Sequence, residues 1–215
     1  MRGQLVAIYG PMFASKTTTL LKYTDFVPNI KDIQFFNTAT DTRYGRNGVY
    51  THSGKSFPAI PFTDIEELIP HINKSHLFFD EVNFYPSEFV PFIEYLLQEG
   101  RNIVISGLDK TSEGDFFPLR NGNHTMKDII GRADIHFHKK GVCLACQGEA
   151  THTAYIGLDQ KGSAIKVGVD DYCSLCETDW DKYRNNEILV EDLRQKKLNL
   201  LDRLNLPKDK CSFAK

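Results

Sequence analysis

Residues 5–17 read LVAIYGPMFASKT, and this stretch decides the fold. Leu5–Tyr9 is a short continuous apolar run of the kind that forms a buried strand, and Gly10 ends it. From Lys16 the run KTTTLLKYTDF has helix-like spacing, with Leu20, Leu21 and Tyr23 near one face. A strand, a tight turn and a helix opening on Lys-Thr fit the phosphate-loop pattern G-x-x-x-x-G-K-[ST], except that Ser15 holds the second glycine position. Such a loop turns backbone N–H groups inward around a phosphate at a helix N-terminus. Gly10, Pro11, Met12, Phe13, Ala14 and Ser15 would line it, Lys16 would place its charge on the β- and γ-phosphates, and the Thr17 hydroxyl would reach Mg²⁺. If position 15 needs a positive φ, serine there costs about 1 kcal/mol, which the loop can bear.

Working outward, the stretch F78-F79-D80-E81 ends another apolar run, His76–Phe79, on two carboxylates. A phosphate-loop enzyme needs an acid at the tip of a neighbouring strand to organise Mg²⁺, a role that suits Asp80. Glu81 beside it is a candidate general base for an attacking hydroxyl. Further strands are expected at Ile33–Phe36, Asn102–Ser106 and Asp134–Phe137. Helices are expected over 63–73, with Thr63 and Glu66 as a capping box and Pro70 as its stop, and over 87–98, closing at Gly100. Short apolar strands between helices predict an α/β fold, a parallel sheet with helices on both faces.

The chain has 215 residues and a formal net charge of −2, which argues against nucleic-acid binding through a general basic face. No stretch approaches a membrane span, and Leu5–Tyr9 is too short for a signal peptide, so a soluble, cytoplasmic protein is expected. All five cysteines lie after residue 142, as C143-L-A-C146, C173-S-L-C176 and a lone Cys211. An odd total in two close pairs is awkward for disulfides, whereas Cys143, Cys146, Cys173 and Cys176 could supply four thiolates to a structural Zn²⁺. His136 and His138 precede the first pair, but four thiolates already fill zinc's shell.

Three regions are expected: a nucleotide-binding domain over 1–139, a small β-rich zinc module over 140–180, and a helical extension over 181–215. Within the extension, residues 187–204 read as a helix anchored by Leu189, Leu193, Leu200, Leu201 and Leu204. This stripe packs either on its own domain or against another subunit.

Several motifs in collinear order resemble the zinc-containing, phosphate-loop type of thymidine kinase. They are G10-P-M-F-A-S-K-T17, D41-T-R-Y44 with T51-H52, F79-D-E-V-N-F84, G107-L-D-K-T111 with Phe117, E149-A-T-H-T153 and G168-V-D-D-Y172. The resemblance runs over about residues 3–177. It implies a RecA-like nucleotide-binding fold, a lasso between the cysteine pairs, and transfer of the γ-phosphoryl of ATP to the 5′-hydroxyl of thymidine. It also implies roles: Glu81 as base, Arg43 stabilising charge near the transferred group, Lys16 on the phosphates, and Asp80 with Thr17 on Mg²⁺.

Met12, Phe84, Leu108, Phe117 and Thr153 would enclose the pyrimidine, with backbone groups of Ile165, Lys166, Val167 and Tyr172 on its edge. A homotetramer and feedback inhibition by thymidine triphosphate are likewise implied. The sequence departs from the family pattern at Ser15, at Asn83 in place of glutamine, at Ser112, and at Tyr172 directly before Cys173. Other readings are a broader pyrimidine deoxynucleoside kinase, a catalytically silent relative, and a phosphate-loop ATPase whose zinc module and aromatic residues bind nucleic acid.

Overall fold

In the computed structural model, residues 1–39, 48–50, 56–158 and 170–208 are described. A seven-stranded sheet comprises β1 (Leu5–Tyr9), β2 (Ile33–Thr38), β3 (Gly48–Tyr50), β4 (Ser56–Phe62), β5 (His76–Phe79), β6 (Asn102–Gly107) and β7 (Ile135–His138). Its order is β3-β4-β2-β5-β6-β1-β7, and every neighbouring pair is parallel except β3 with β4. Four helices belong to this part of the chain: α1 (Lys16–Lys22), α2 (Ile65–Leu68), α3 (Phe89–Gln98) and α4 (Met126–Ile130).

The register of β2 on β5 explains how the sheet is covered. Phe35 lies opposite Phe78 and Phe36 opposite Phe79, each ring pair 4.9 Å apart between centroids. Adjacent strand residues point to opposite faces, so the two pairs serve different layers. Phe35 and Phe78 join Val6, Ile8, Val104 and the α1 residues Leu20 and Leu21. Phe36 and Phe79 meet Phe62, Tyr85 and the α3 residue Phe89. Helices therefore cover both faces, as the continuous apolar strands predict. Each such ring withdrawn from water stabilises the fold by about 1.5–3 kcal/mol.

The chain divides into two compact units. The sheet unit is Met1–Tyr9, Ser15–Asp109 and Phe116–His138; the second contains Gly10–Ala14, Lys110–Asp115 and the chain from Lys139 onward. The second unit holds two antiparallel ribbons, β8 (Gly141–Val142) with β9 (Glu149–Ala150) and β10 (His152–Tyr155) with β11 (Tyr172–Leu175). Helices α5 (Glu177–Arg184) and α6 (Val190–Arg203) follow. Its core is small: Cys143, Leu144, Ala150, Ala154, Ile156, Cys173, Leu175 and Leu193. At Gly114 (φ +91°) an added Cβ would lie 2.6 Å from the Trp180 ring, so only glycine lets that turn approach the indole.

Several expectations are corrected. The helix expected over 63–73 is one turn, α2, followed by a 3₁₀ turn at Ile69–His71 that contains Pro70. Glu67, not Glu66, reaches back to the Thr63 N–H, at 2.9 Å. Strands β3 and β4 are additions to the expected set; in β4, Pro58 and Pro61 speak against a strand. Helix α4 was missed as well, although Thr125 and Asp128 cap it reciprocally. Of the five leucines expected to anchor the C-terminal helix, Leu193 is buried, whereas Leu189, Leu200 and Leu204 are exposed. Among the described residues, no helix is long and apolar enough to cross a membrane.

Candidate active site

Strands β5, β2 and β6 and the start of α1 meet at one carboxylate. Asp80 follows β5 directly and is buried, its N–H bonded to Phe36 O at 3.1 Å. The Thr17 hydroxyl, at the start of α1, donates to Asp80 Oδ2 at 3.0 Å. The Ser106 hydroxyl, on β6, donates to Asp80 Oδ1. Burial raises the Asp80 carboxyl to about pH 6, with the neighbouring Glu81 charge adding to the effect and both hydroxyls opposing it. A buried carboxylate beside a threonine hydroxyl is the donor set a phosphate-loop enzyme offers to Mg²⁺.

Glu81 adopts a left-handed conformation (φ 54°) and starts the 3₁₀ turn Val82–Phe84. Non-glycine residues held this way cost about 1–2 kcal/mol, and such strain gathers at functional sites. The turn also places Asn83, whose buried Oδ1 accepts from Leu108 N–H at 2.9 Å. Phe84 meets the buried Phe117 edge to face, with ring centroids 5.6 Å apart. Tyr85 is fully enclosed, and burial holds its phenol well above 10.

The backbone of the loop after β1 is held in three unusual conformations: Gly10 (φ +145°), Phe13 (φ 61°) and Ser15 (φ 55°). Ser15 thus adopts the left-handed geometry that its replacement of glycine makes costly. No side chain caps the helix that follows it. A Cβ on Gly10 would lie 2.2 Å from Lys139 O, so glycine is required there for close approach as well as for conformation.

Within the second unit, the β10–β11 ribbon grips Met12 by its backbone. Met12 N–H donates to Thr153 Oγ1 at 3.0 Å, and Ser174 Oγ donates to Met12 O at 2.6 Å. Below the ribbon, Cys143, Cys146, Cys176 and Asp179 place one ligand atom each within 4.8 Å of all the others. Asp179 Oδ2 accepts from the Cys143 and Cys176 thiols at 3.3 Å each. Three thiols and a carboxylate in this arrangement could hold a metal and suit zinc.

A thymidine kinase family model matches residues 3–180. The chain belongs to the thymidine kinase family. Thymidine kinases from Yaba monkey tumor virus and Pseudothermotoga lettingae are similar to it at 30% and 31% identity, each alignment covering 85% of this chain and 97% of the relative. The cytosolic thymidine kinase of Gallus gallus is 26% identical over 99% of this chain and 92% of its own length.

Against this family background, the structure brings together Asp80 and Thr17, and Phe84 and Phe117. Glu81 adjoins the first pair in the chain, and Leu108 is tied to the Phe84 turn through Asn83. Lys16 opens α1 and is half-buried. Met12, Thr153 and Tyr172 belong to the second unit, where Tyr172 is buried against Tyr155 with centroids 5.1 Å apart. Arg43, Ile165, Lys166, Val167, His52 and Cys211 lie outside the described residues.

Two features go beyond the sequence reading. The acid-bearing strand β5 is not beside β1; β6 lies between them and contributes Ser106. Its only sequence signal was a serine near the end of an apolar strand. Asp179 lies with Cys143, Cys146 and Cys176 in one group of possible ligand atoms. On β11, Ser174 reaches Met12, while Cys173 and Leu175 are buried with Cys143 in the unit's apolar cluster, where burial pushes the Cys173 thiol up to about 12. The signal for Asp179 is an acid three residues after Cys176, at a helix start. His152 is buried and stacks on Trp180 with centroids 4.6 Å apart.

Proposed function

We propose that this chain transfers the γ-phosphoryl group of ATP to the 5′-hydroxyl of thymidine, giving thymidine monophosphate for nucleotide salvage. The observation that carries the reading is the Asp80 carboxylate held by Thr17 and Ser106, with strained Glu81 next to it, in a chain of this family.

In this mechanism Lys16 and the loop from Gly10 to Ser15 hold the phosphates in line with the incoming hydroxyl. Thr17 and Asp80 would hold Mg²⁺, which when bound neutralises charge on the phosphates. Glu81 takes the proton of the 5′-hydroxyl, and Arg43 stabilises charge near the transferred group. Met12, Phe84, Leu108, Phe117 and Thr153 enclose the pyrimidine. Ile165, Lys166, Val167 and Tyr172 read its edge from a lasso by backbone groups. Catalysis on this template is positioning plus electrostatic stabilisation.

The nucleotide-binding part is RecA-like, followed by the zinc module over 140–180 and the extension over 181–215. Zinc is held by Cys143, Cys146 and Cys176 with a fourth donor, Asp179 or Cys173. Zinc content of Asp179→Ala compared with Cys173→Ala decides which. The protein works in the cytoplasm on a small nucleoside as a homotetramer, which sedimentation of the zinc-loaded protein tests.

The deciding experiment supplies ATP and Mg²⁺ with thymidine, deoxyuridine or deoxycytidine in separate reactions. Thymidine monophosphate from wild type and not from Glu81→Gln is expected. No monophosphate from any nucleoside overturns the reading.

A further inference from the structure

The β10–β11 ladder ends at the pair Tyr155–Tyr172, and one further bond, Ile156 N–H to Asp171 O at 2.8 Å, closes the two stems beyond it. Four nearby carbonyls, those of Ile156, Gly157, Asp170 and Tyr172, receive cationic donors from α6. Arg194 Nε donates to Ile156 O at 2.6 Å and its Nη2 to Gly157 O at 2.7 Å. Lys197 Nζ donates to Asp170 O at 2.5 Å and to Tyr172 O at 2.7 Å. The two residues are three apart on a helix and so share a face, one serving each stem.

Charge-assisted bonds to carbonyls are stronger than neutral ones. Arg194 is also held from its own helix, by Glu191 Oε2 at 3.0 Å, and its side chain is only 12% exposed. Leu193, on the same face, is fully buried in the unit's core. Lys197 Nζ also lies 5.3 Å from the Phe13 ring centroid, over the residue next to Met12, which the ribbon grips. A cation over a ring face is attracted to it.

We infer that α6 is a positioning element for nucleoside binding, with Arg194 and Lys197 clamping both stems of the β10–β11 connection and Lys197 tying that clamp to the phosphate loop at Phe13. The inference rests on the kinase reading and deepens it, by assigning part of nucleoside affinity to the C-terminal extension. Fixing the ends of the ribbon that carries Thr153 and Tyr172, together with Phe13 beside Met12, holds these residues in place before the substrate arrives, and preorganisation of this kind strengthens binding. Neither side chain is a catalytic residue. The effect therefore falls on nucleoside KM and leaves the chemical step alone.

The test compares wild type with Arg194→Met, Lys197→Met and the double variant, and with Lys197→Arg as the conservative replacement. KM for thymidine, KM for ATP and kcat are measured on zinc-loaded protein, with hydrogen exchange of the peptide covering 152–158. Each methionine variant is expected to raise thymidine KM about three- to tenfold, as befits one or two lost hydrogen bonds. ATP KM and kcat should stay within about twofold, and Lys197→Arg should restore thymidine KM.

Unchanged thymidine KM in both single variants overturns the inference. So does a parallel change in both KM values and kcat, the mark of general destabilisation. If the double variant does not fold, the single variants decide. If wild type makes no thymidine monophosphate, the kinase reading fails, and the clamp is judged by exchange: faster in the methionine variants if it exists, unchanged if it does not.

Discussion

The two units are stabilised by different means. The sheet unit rests on interleaved rings, with Phe35, Phe36, Phe78, Phe79, Tyr85 and Phe89 nearly or fully buried. The second unit buries few large side chains and depends on a thiol–carboxylate cluster and on cations that cap carbonyls. Nondirectional burial tolerates small displacements, whereas a chelate and a set of charge-assisted bonds are lost when one atom moves. The difference points to a division of labour: the carboxylate centre is built into the ring-packed unit, and the residues expected to meet the nucleoside from the ribbon sit beside a thiol–carboxylate cluster and a helix.

The largest expected effect breaks the chemistry without touching either scaffold. Glu81→Gln should lower kcat by about 10²–10⁴, the usual contribution of a general base, with unfolding behaviour unchanged. Next, Phe79→Ala should cost about 3–5 kcal/mol in denaturant unfolding, because it opens a cavity against Phe36, Tyr85 and Phe89. The sheet unit would be less dependent on its apolar core than described if Phe79→Ala left stability intact.

Adding a chelator to zinc-loaded protein, or replacing Cys146 with Ser, should speed hydrogen exchange across 143–155 and 172–180 while 76–79 and 102–107 stay protected. Uniform loss of protection would contradict the separation of the two units. A smaller change is expected for Ser174→Ala, which removes the hydroxyl from Met12 O. About 1 kcal/mol is at stake, a several-fold rise in thymidine KM.

The smallest effect concerns Asp134, whose carboxylate accepts the Leu5 N–H and pairs with Arg2. These contacts hold it below the usual carboxylate range, the backbone bond contributing most. Its stabilisation is present above about pH 4, the unfolded value, and is lost as pH falls through the lower folded value. Being largely exposed, it should contribute little. Denaturant midpoints of wild type and Asp134→Asn should differ slightly at pH 6, and the difference should shrink as pH falls below about 4.

Much of the sheet unit was legible in the chain. Leu5–Tyr9, His76–Phe79 and Asn102–Gly107 are continuous apolar runs, and buried parallel strands have that pattern because both faces are covered. Ser15, Thr17, Asp80 and Glu81 could be singled out because each sits where a strand gives way to a turn or helix. Strand β4 was not legible, since its prolines disguise it and its pairing with β2 is a nonlocal fact.

The sequence by itself determined the alternation of strand and helix, the strand–loop–helix over Leu5–Lys22 and the presence of a cysteine-based module, because each is written in residue type and local spacing. The tertiary structure alone decided that Ser106 from an intervening strand completes the Asp80 centre and that Asp179 joins the three thiols. It also decided that Arg194 and Lys197, two ordinary surface cations by sequence, reach carbonyls more than twenty positions away. Long polar side chains find partners only once backbone groups distant in sequence are brought near, and no local pattern records that distance.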